Sequence, residues 1–510
     1  MRNIITLTLA IVAIGCSWAA PKTSNQLRFD PTKSESRTMT MPDGSTVNYI
    51  AYERLYYVTN IEDSMFQYLN VYVPENATSK SPILLRTYVG GYMASRAGQP
   101  QAGDASGRAL KEGLVVVIPG TRGRNSNIHI PKNDKKSGLK KGQVIYTGRA
   151  PNAILDLKAA IRYIRYFDRE LPGDAEKIIT DGTSAGGAMS ALLGTTGNNS
   201  AYEPLLDAMG AAPVRDNIFA AVCYCPIIDL EHADMAYEWL YNCTDSRQQG
   251  DFEILAISDQ LKAQYPTYLE SMNLHAADGT LLTSENYLNY IKSEIIRSAQ
   301  LAKNAGAEIP DSIGFKFSDD SGFGAPPING GVNSPAGKAP LGRQRPASMQ
   351  RGSKTVGDYI VNLDMTRYLN YVVSTQPLKT APAFDTQGVA GQKASGENEL
   401  FGDSSGSSVN FTEFGANTAG TELTDVVRHN VALMNPMNYI DDGASTVAEH
   451  WYIRHGARDR DTAFTVPINL ALKLQNNGKN VNFLLAWNRP HSGDYALDEL
   501  FEWIKKITSD

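Results

Sequence analysis

The sequence predicts an α/β protein: a mostly parallel sheet with helices on both faces and a large segment inserted between two late strands. Three observations predict it. Short β-branched runs alternate with amphipathic stretches of helical spacing, the pattern of a sheet covered on both sides. One such run leads straight into a glycine-flanked serine turn, Gly182-Thr183-Ser184-Ala185-Gly186, and on into a small-residue helix. The alternation then stops after residue 225 and resumes only at residue 450.

Taken in order, residues 83–85 read as a strand that opens into Val89-Gly90-Gly91-Tyr92. Residues 114–118 read as a second strand, followed by a polar loop ending at Arg124. Residues 153–167 carry Ile154, Leu157, Ile161 and Ile164 at helical spacing, and Leu171-Pro172-Gly173-Asp174 stops them. Residues 178–180 enter the serine turn, 187–193 continue as helix, and 219–225 form the next strand before Pro226. Strands return at 450–453 and 481–487, and an amphipathic helix over 497–507 closes the chain. This divides the protein into a core, 21–228 and 401–510, and an inserted lid or cap, 229–400. Within the insertion, residues 318–354 are rich in Gly, Pro and Ser and carry Lys338, Arg343, Arg345, Arg351 and Lys354. So little apolar surface predicts a mobile loop there.

A chain of 510 residues has material for one large core and an insertion. The formal net charge of −6 argues against nucleic acid as the main partner. The first twenty residues read as an export leader. Arg2 is followed by an apolar run from Ile4 to Ile14 and a small-x-small site, Ser17-Trp18-Ala19. That run is too short for a bilayer, which needs about 20 residues, and no other run is long enough to span one. Ala13-Ile14-Gly15-Cys16 resembles a lipobox, so a lipid anchor on Cys16 stands beside free secretion or periplasmic export. Cys223, Cys225 and Cys243 remain beyond the leader, with no CxxC or His-x-x-x-His pattern, so no metal site is expected.

A serine hydroxyl is a poor nucleophile until a base takes its proton and an acid orients that base. The strand, glycine-flanked serine and helix are what a nucleophile elbow requires, and the arrangement is similar to the α/β-hydrolase fold, whose chain order is Ser, Asp, His. His491, in Arg489-Pro490-His491-Ser492-Gly493-Asp494, lies just beyond the last strand and takes the place of the base. His455 comes too early in that order, and His129, His232, His275, His429 and His450 read as packing or surface residues. For the acid, Gly456-Ala457-Arg458-Asp459-Arg460-Asp461 offers Asp459 and Asp461. In extended chain both would face the same way, so spacing does not choose between them. For either, the plain alternative is a salt bridge to Arg458 or Arg460. Two backbone N–H groups should bind the developing oxyanion, from Ala185 and from Gly91 in the glycine-rich loop. No organic cofactor is called for.

Longer blocks carry a narrower likeness. Gly182-Thr183-Ser184-Ala185-Gly186-Gly187-Ala188, the stretch Leu230-Glu231-His232-Ala233-Asp234-Met235-Ala236-Tyr237-Glu238-Trp239, and Ala381-Pro382-Ala383-Phe384-Asp385 resemble bacterial tannases (tannin acyl hydrolases). So do Arg454-His455-Gly456-Ala457-Arg458-Asp459-Arg460-Asp461-Thr462 and Pro490-His491-Ser492-Gly493-Asp494-Tyr495. The likeness spans residues 40–507. It implies Ser184, Asp459 and His491 as triad, and Lys379, Glu397 and Asp461 as the groups holding the three phenolic hydroxyls of a galloyl ring. It also implies a secreted esterase that releases gallic acid from polyphenol galloyl esters. The alternatives are a feruloyl or general carboxylesterase and, from another class, a non-catalytic binding protein on the same fold. The stretches 125–141 and 318–354 depart from the family as insertions, and the segment between Asp385 and Glu397 is longer than its pattern.

Overall fold

The computed structural model describes residues 26–130, 142–318 and 359–509. The expected leader with Cys16, most of the 318–354 loop and most of the 125–141 stretch lie outside the described residues.

Nine strands form one sheet: β1 (Glu35–Thr40), β2 (Thr46–Tyr56), β3 (Tyr68–Pro74), β4 (Ile83–Arg86), β5 (Val115–Pro119), β6 (Ile178–Thr183), β7 (Ala220–Tyr224), β8 (His450–Gly456) and β9 (Asn480–Ala486). Their spatial order is β1-β2-β3-β5-β4-β6-β7-β8-β9. From β5 to β9 every pairing is parallel. The mostly parallel sheet read from the sequence is therefore present. β5 (VVVIP) and β7 (AAVCY) are buried along their whole length because both faces of the sheet are covered.

The antiparallel strands β1 to β3 were not anticipated. β2 reads TVNYIAYERLY, with charged and polar residues among tyrosines, and its pairing with β3 is irregular between Tyr52 and Leu55. Residues that alternate between solvent and core without a clean apolar run hide such a strand.

Helices α1 (Ala105–Lys111), α2 (Asn152–Tyr166) and α3 (Ala185–Thr195) follow strands of the first half. The inserted segment supplies α4 (Leu230–Tyr241), α5 (Phe252–Ser271), α6 (Tyr287–Asn304), α7 (Met365–Thr375) and the short α8 (Gly396–Leu400), and the chain ends with α9 (Thr465–Asn476) and α10 (Leu497–Thr508). One apolar cluster joins α1 and α10 to one face of the sheet, with Leu110, Leu500 and Trp503 at its centre. A larger cluster joins α2, α3 and α9 to the other face. α3 is built of small residues because it lies hard against β7: a Cβ on Gly187 would sit 2.7 Å from the Tyr224 carbonyl oxygen.

The insertion leaves the sheet unbroken, since β7 and β8 are neighbours in register, Ala220 beside His450. Its helices also finish the sheet. On α6, Arg297 donates to the Phe483 carbonyl at 3.1 Å and Ser298 to the Leu485 carbonyl, which satisfies acceptors on the edge strand β9. Farther on, α8 docks on the core segment before α2, where Ala150 N–H donates to the Leu400 carbonyl at 2.8 Å. Among the described residues no helix is long and apolar enough to cross a membrane.

Candidate active site

β6 ends at Thr183, and Ser184 turns the chain into α3 with φ +62° and ψ −124°. A non-glycine residue held there costs on the order of 1–3 kcal/mol. Hydrogen bonds hold it: Ser184 N–H donates to the Tyr224 carbonyl at 2.9 Å, and the Ser184 carbonyl accepts from Ala188 at 2.9 Å and Ile227 at 3.3 Å. The turn is so tight that a Cβ on Gly182 would collide with the Gly186 backbone. Ala185 is the first residue of α3, where N–H groups have no partner within the helix.

His491 lies on the loop after β9, and its Nδ1 is 2.7 Å from Asp459 Oδ2. That contact leaves Nε2 as the nitrogen free for proton transfer. Asp459 is fully buried just past the end of β8. The chain there is not extended: Asp461 N–H folds back and donates to Asp459 Oδ1 at 2.8 Å. The two aspartates therefore sit differently. Asp461 is half-buried, lies 3.7 Å from His491 Nδ1, and pairs with Arg460 at 2.7 Å, the salt bridge weighed from the sequence.

Burial alone would raise the Asp459 carboxyl, but the neighbouring His455 and His491 imidazoles and the Asp461 N–H outweigh it and hold it at about 2. Burial pulls the His491 imidazole down, yet the Asp459 hydrogen bond and charge, with Asp461 adding, leave it above its ordinary value. His455 is the unexpected neighbour. It is fully buried, 3.7 Å from Asp459 Oδ2, and burial keeps it below the usual imidazole range.

Three contacts set the His491 loop against the elbow. Gly493 packs on Thr183 so closely that a Cβ would overlap the Thr183 hydroxyl. Asp494 takes a two-pronged contact from Arg86, at 2.9 and 2.7 Å, and Arg86 also pairs with the buried Asp181 of β6. Cys225, just past the end of β7, approaches the Ser492 carbonyl at 3.4 Å.

Gly90-Gly91-Tyr92-Met93 is a turn with both central residues at positive φ, +54° for Gly91 and +56° for Tyr92. The Gly90 carbonyl accepts from Met93 at 2.9 Å, so the Gly91 N–H, antiparallel to it in a trans peptide, points out of the turn. The buried Tyr92 hydroxyl donates to the Ile227 carbonyl at 2.7 Å, and Ile227 is also bonded to Ser184. The glycine-rich loop and the elbow thus share one residue.

The residues from the insertion come to the same place. Lys379 Nζ lies 3.9 Å from the Phe384 ring centroid, a cation–π contact. Burial lowers its ammonium below the ordinary value, while the charges of Glu397 and Asp461 pull it back up. Lys379 in turn acts on His491. Glu397 is half-buried in α8, and its charge is felt by Tyr92. The loop holding these groups is locked from beneath. Asp234 of α4 accepts the N–H groups of Ala383, Phe384 and Asp385 at 2.7, 2.7 and 3.0 Å, and Asp385 accepts from Asn398, next to Glu397, at 2.7 Å.

The candidate site residues therefore lie at the strand ends β4, β6, β8 and β9 and on the inserted segment. Donor atoms of Asp459, Asp461 and His491 lie within 4.8 Å of one another, as do those of Cys225, His455 and Asp459. A cavity of about 390 Å³ lined by Met235, Leu261, Phe411, Phe414 and Arg428 contains none of the candidate residues. Arg124, Thr183 and Gly493 carry no signal in the sequence because each acts through a neighbour distant in the chain, and His455, set aside by chain order, proves to lie against Asp459 four residues on.

The topology and the serine turn define the class: the fold is that of the α/β-hydrolases. A family profile described as BD-FAE matches residues 143–265. Comparison with curated proteins gave no match. Among solved structures, the native tannin acyl hydrolase from Lactobacillus plantarum is 37% identical, with 95% of this chain and 99% of that one covered and a TM-score of 0.79. The Fusobacterium nucleatum tannase is 34% identical, covering 95% and 100%, with a TM-score of 0.77. A tannin acyl hydrolase in complex with ethyl gallate is 36% identical, covering 95% and 99%, with a TM-score of 0.78. The chain belongs to the tannases (tannin acyl hydrolases) and is a carboxylic ester hydrolase.

Proposed function

We propose that this protein hydrolyses galloyl esters, of hydrolysable tannins or simple alcohols, and releases gallic acid through a Ser184–His491–Asp459 triad. His491 Nε2 takes the Ser184 proton as Oγ attacks the ester carbonyl. The Gly91 and Ala185 N–H groups bind the oxyanion of the tetrahedral intermediate. Collapse expels the alcohol with the proton from His491 and leaves galloyl on Ser184. Water, deprotonated by His491, then repeats the attack and frees gallate.

The observation that supports the substrate assignment is that Glu397 and Asp461 both act on Lys379, while Lys379 and Asp461 act on His491. Two carboxylates accept from vicinal phenols and an ammonium donates to them. Such charge-assisted bonds discriminate strongly against rings without the hydroxyls. The complex of a tannin acyl hydrolase with 3,4-dihydroxybenzoate, at 37% identity, supports the same ring chemistry. The helices of 229–400 serve as a lid over this site. Residues 1–20 direct export.

The test is Ser184→Ala on methyl gallate: gallate release should vanish, and retained release would remove the serine from the mechanism. Comparing methyl gallate with methyl ferulate separates this reading from a feruloyl esterase, and labelling of Ser184 by a fluorophosphonate separates it from a non-catalytic binding protein.

A further inference from the structure

Arg124 lies on the loop after β5, outside every residue assigned so far, and it touches both halves of the site. Its Nε donates to the Gly91 carbonyl at 2.9 Å, and its backbone N–H donates to the Tyr92 carbonyl at 2.8 Å. The carbonyls of both central residues of the glycine turn thus end on one residue. Its Nη1 pairs with Glu399 on α8. The same guanidinium packs on the first residue of that helix, since a Cβ on Gly396 would lie 3.0 to 3.3 Å from Nε, Cζ and Nη2. Glu397 sits between those two contacts.

A turn with two residues at positive φ, one of them tyrosine, is not self-sustaining; such a residue costs on the order of 1–3 kcal/mol and persists only when its surroundings over-determine it. The Arg124 bonds supply that constraint, and because one planar guanidinium makes the Gly91 bond together with the α8 contacts, the two elements cannot shift independently.

We propose that Arg124 is a positioning residue that couples α8 to the Gly91 turn, so that engagement of the acyl ring at Glu397 is transmitted to the oxyanion donor. The proposal rests on the assignment of Gly91 and Glu397 in the preceding section. It places ring recognition in kcat as well as in KM: a ring lacking the hydroxyls leaves α8, and with it the turn, less firmly held. The Arg124 guanidinium is engaged by the Gly91 carbonyl and Glu399, which makes its role one of positioning.

The experiment measures kcat and KM for methyl gallate and for p-nitrophenyl acetate, which has no acyl ring, in wild type, Arg124→Ala, Arg124→Lys and Glu399→Gln. Arg124→Ala should lower kcat on both esters by about 30-fold, somewhat less than outright loss of an oxyanion donor, with KM for methyl gallate within about threefold. Methylguanidinium should restore part of that kcat. Arg124→Lys should remain impaired, because an ammonium cannot hold the carbonyl and the carboxylate in the same plane. Glu399→Gln should lower kcat on methyl gallate alone. Wild-type kcat in Arg124→Ala, or an equal loss on both esters in Glu399→Gln, overturns the coupling. Fluorophosphonate labelling of the wild type separates the two readings. If Ser184 is not labelled the proposed function itself fails; if it is labelled and Arg124→Ala keeps full kcat, only the coupling fails.

Discussion

Replacing Gly493 by alanine should misplace His491 without touching any reacting group. The backbone at Gly493 is not in the left-handed region, so the added methyl brings no conformational strain of its own. It does bring a collision: an ideal Cβ would overlap the Thr183 hydroxyl, 2.9 Å from Thr183 Cβ and 3.0 Å from Cγ2. Rotation of the Thr183 side chain relieves the hydroxyl but leaves Cβ in place. The two segments must then part by about half an ångström at least, against close-packed surroundings. β6 cannot yield, because β4 and β7 flank it. The His491 loop must move instead, against the Arg86–Asp494 contact. A misplacement approaching 1 Å costs roughly 100-fold, so kcat for methyl gallate should fall about 10- to 100-fold with KM little changed. Overpacking should cost about 1–3 kcal/mol in denaturant unfolding. Thr183→Ala in the same chain removes the hydroxyl and Cγ2 and should recover part of kcat, a coupling visible in the double-mutant cycle. Gly103→Ala, where a Cβ meets nothing within 4 Å, is the control. A Gly493→Ala enzyme with wild-type kcat would refute the idea that this contact sets the distance between His491 and Ser184.

Other outcomes are expected from the same geometry. As the proposed base, His491 would work only when neutral, and its net shift is upward, so the acid limb of kcat/KM should lie above the ordinary imidazole range. Asp459→Asn removes the charge that raises it most and leaves burial's downward pull opposed mainly by Asp461. The limb should then move to lower pH while kcat falls by roughly four orders of magnitude, and a limb moving upward would contradict the assignment. Asp461→Ala should raise KM for methyl gallate far more than for methyl benzoate; equal effects on both would sink the ring-holding role. Asp385 is fully buried and accepts from Asn398, Asn410, Phe411 N–H and Thr412. Asp385→Ala should therefore destabilise by about 3 kcal/mol or more. It should also weaken methyl gallate binding by freeing the helix that bears Glu397, and unchanged urea unfolding would count against this lock.

Much of this protein is legible in the sequence because its physics is local. A parallel strand buried on both faces must be a continuous apolar run, so 83–85, 114–118 and 219–225 could be read directly. The strand read at 83–85 proves one residue longer and that at 178–180 three longer, taking in Arg86 and Asp181, which pair inside the core, whereas 114–118 shifts by one residue and 219–225 loses one at each end. A serine elbow needs glycines at fixed offsets, and those offsets are on the page before any fold is known. Of the three N-terminal strands, β1 lies at the sheet edge and β2 mixes charged residues with tyrosines, so neither shows a unique period, whereas β3 (YLNVYVP) is fully buried but interrupted by Asn70. Cys225 read as the last residue of a strand, yet it lies past β7 at φ +44° and faces the His491 loop.

By itself, then, the sequence determined an α/β core with an insertion, the position of Ser184, and His491 as the histidine in the right place. It left Asp459 and Asp461 equivalent, because in an extended chain they are; only the family likeness ranked them. Tertiary structure decided the rest. It turned the chain so that Asp461 donates its N–H to Asp459, burying one carboxylate against His491 and leaving the other on the rim beside Arg460. It brought Lys379 and Glu397 from the insertion to that rim, and placed Arg124 between the glycine turn and α8. Apart from the Asp459–Asp461 turn, whose direction the extended-chain reading missed, these are contacts between residues far apart in the chain, and long-range proximity has no periodicity for a sequence to display.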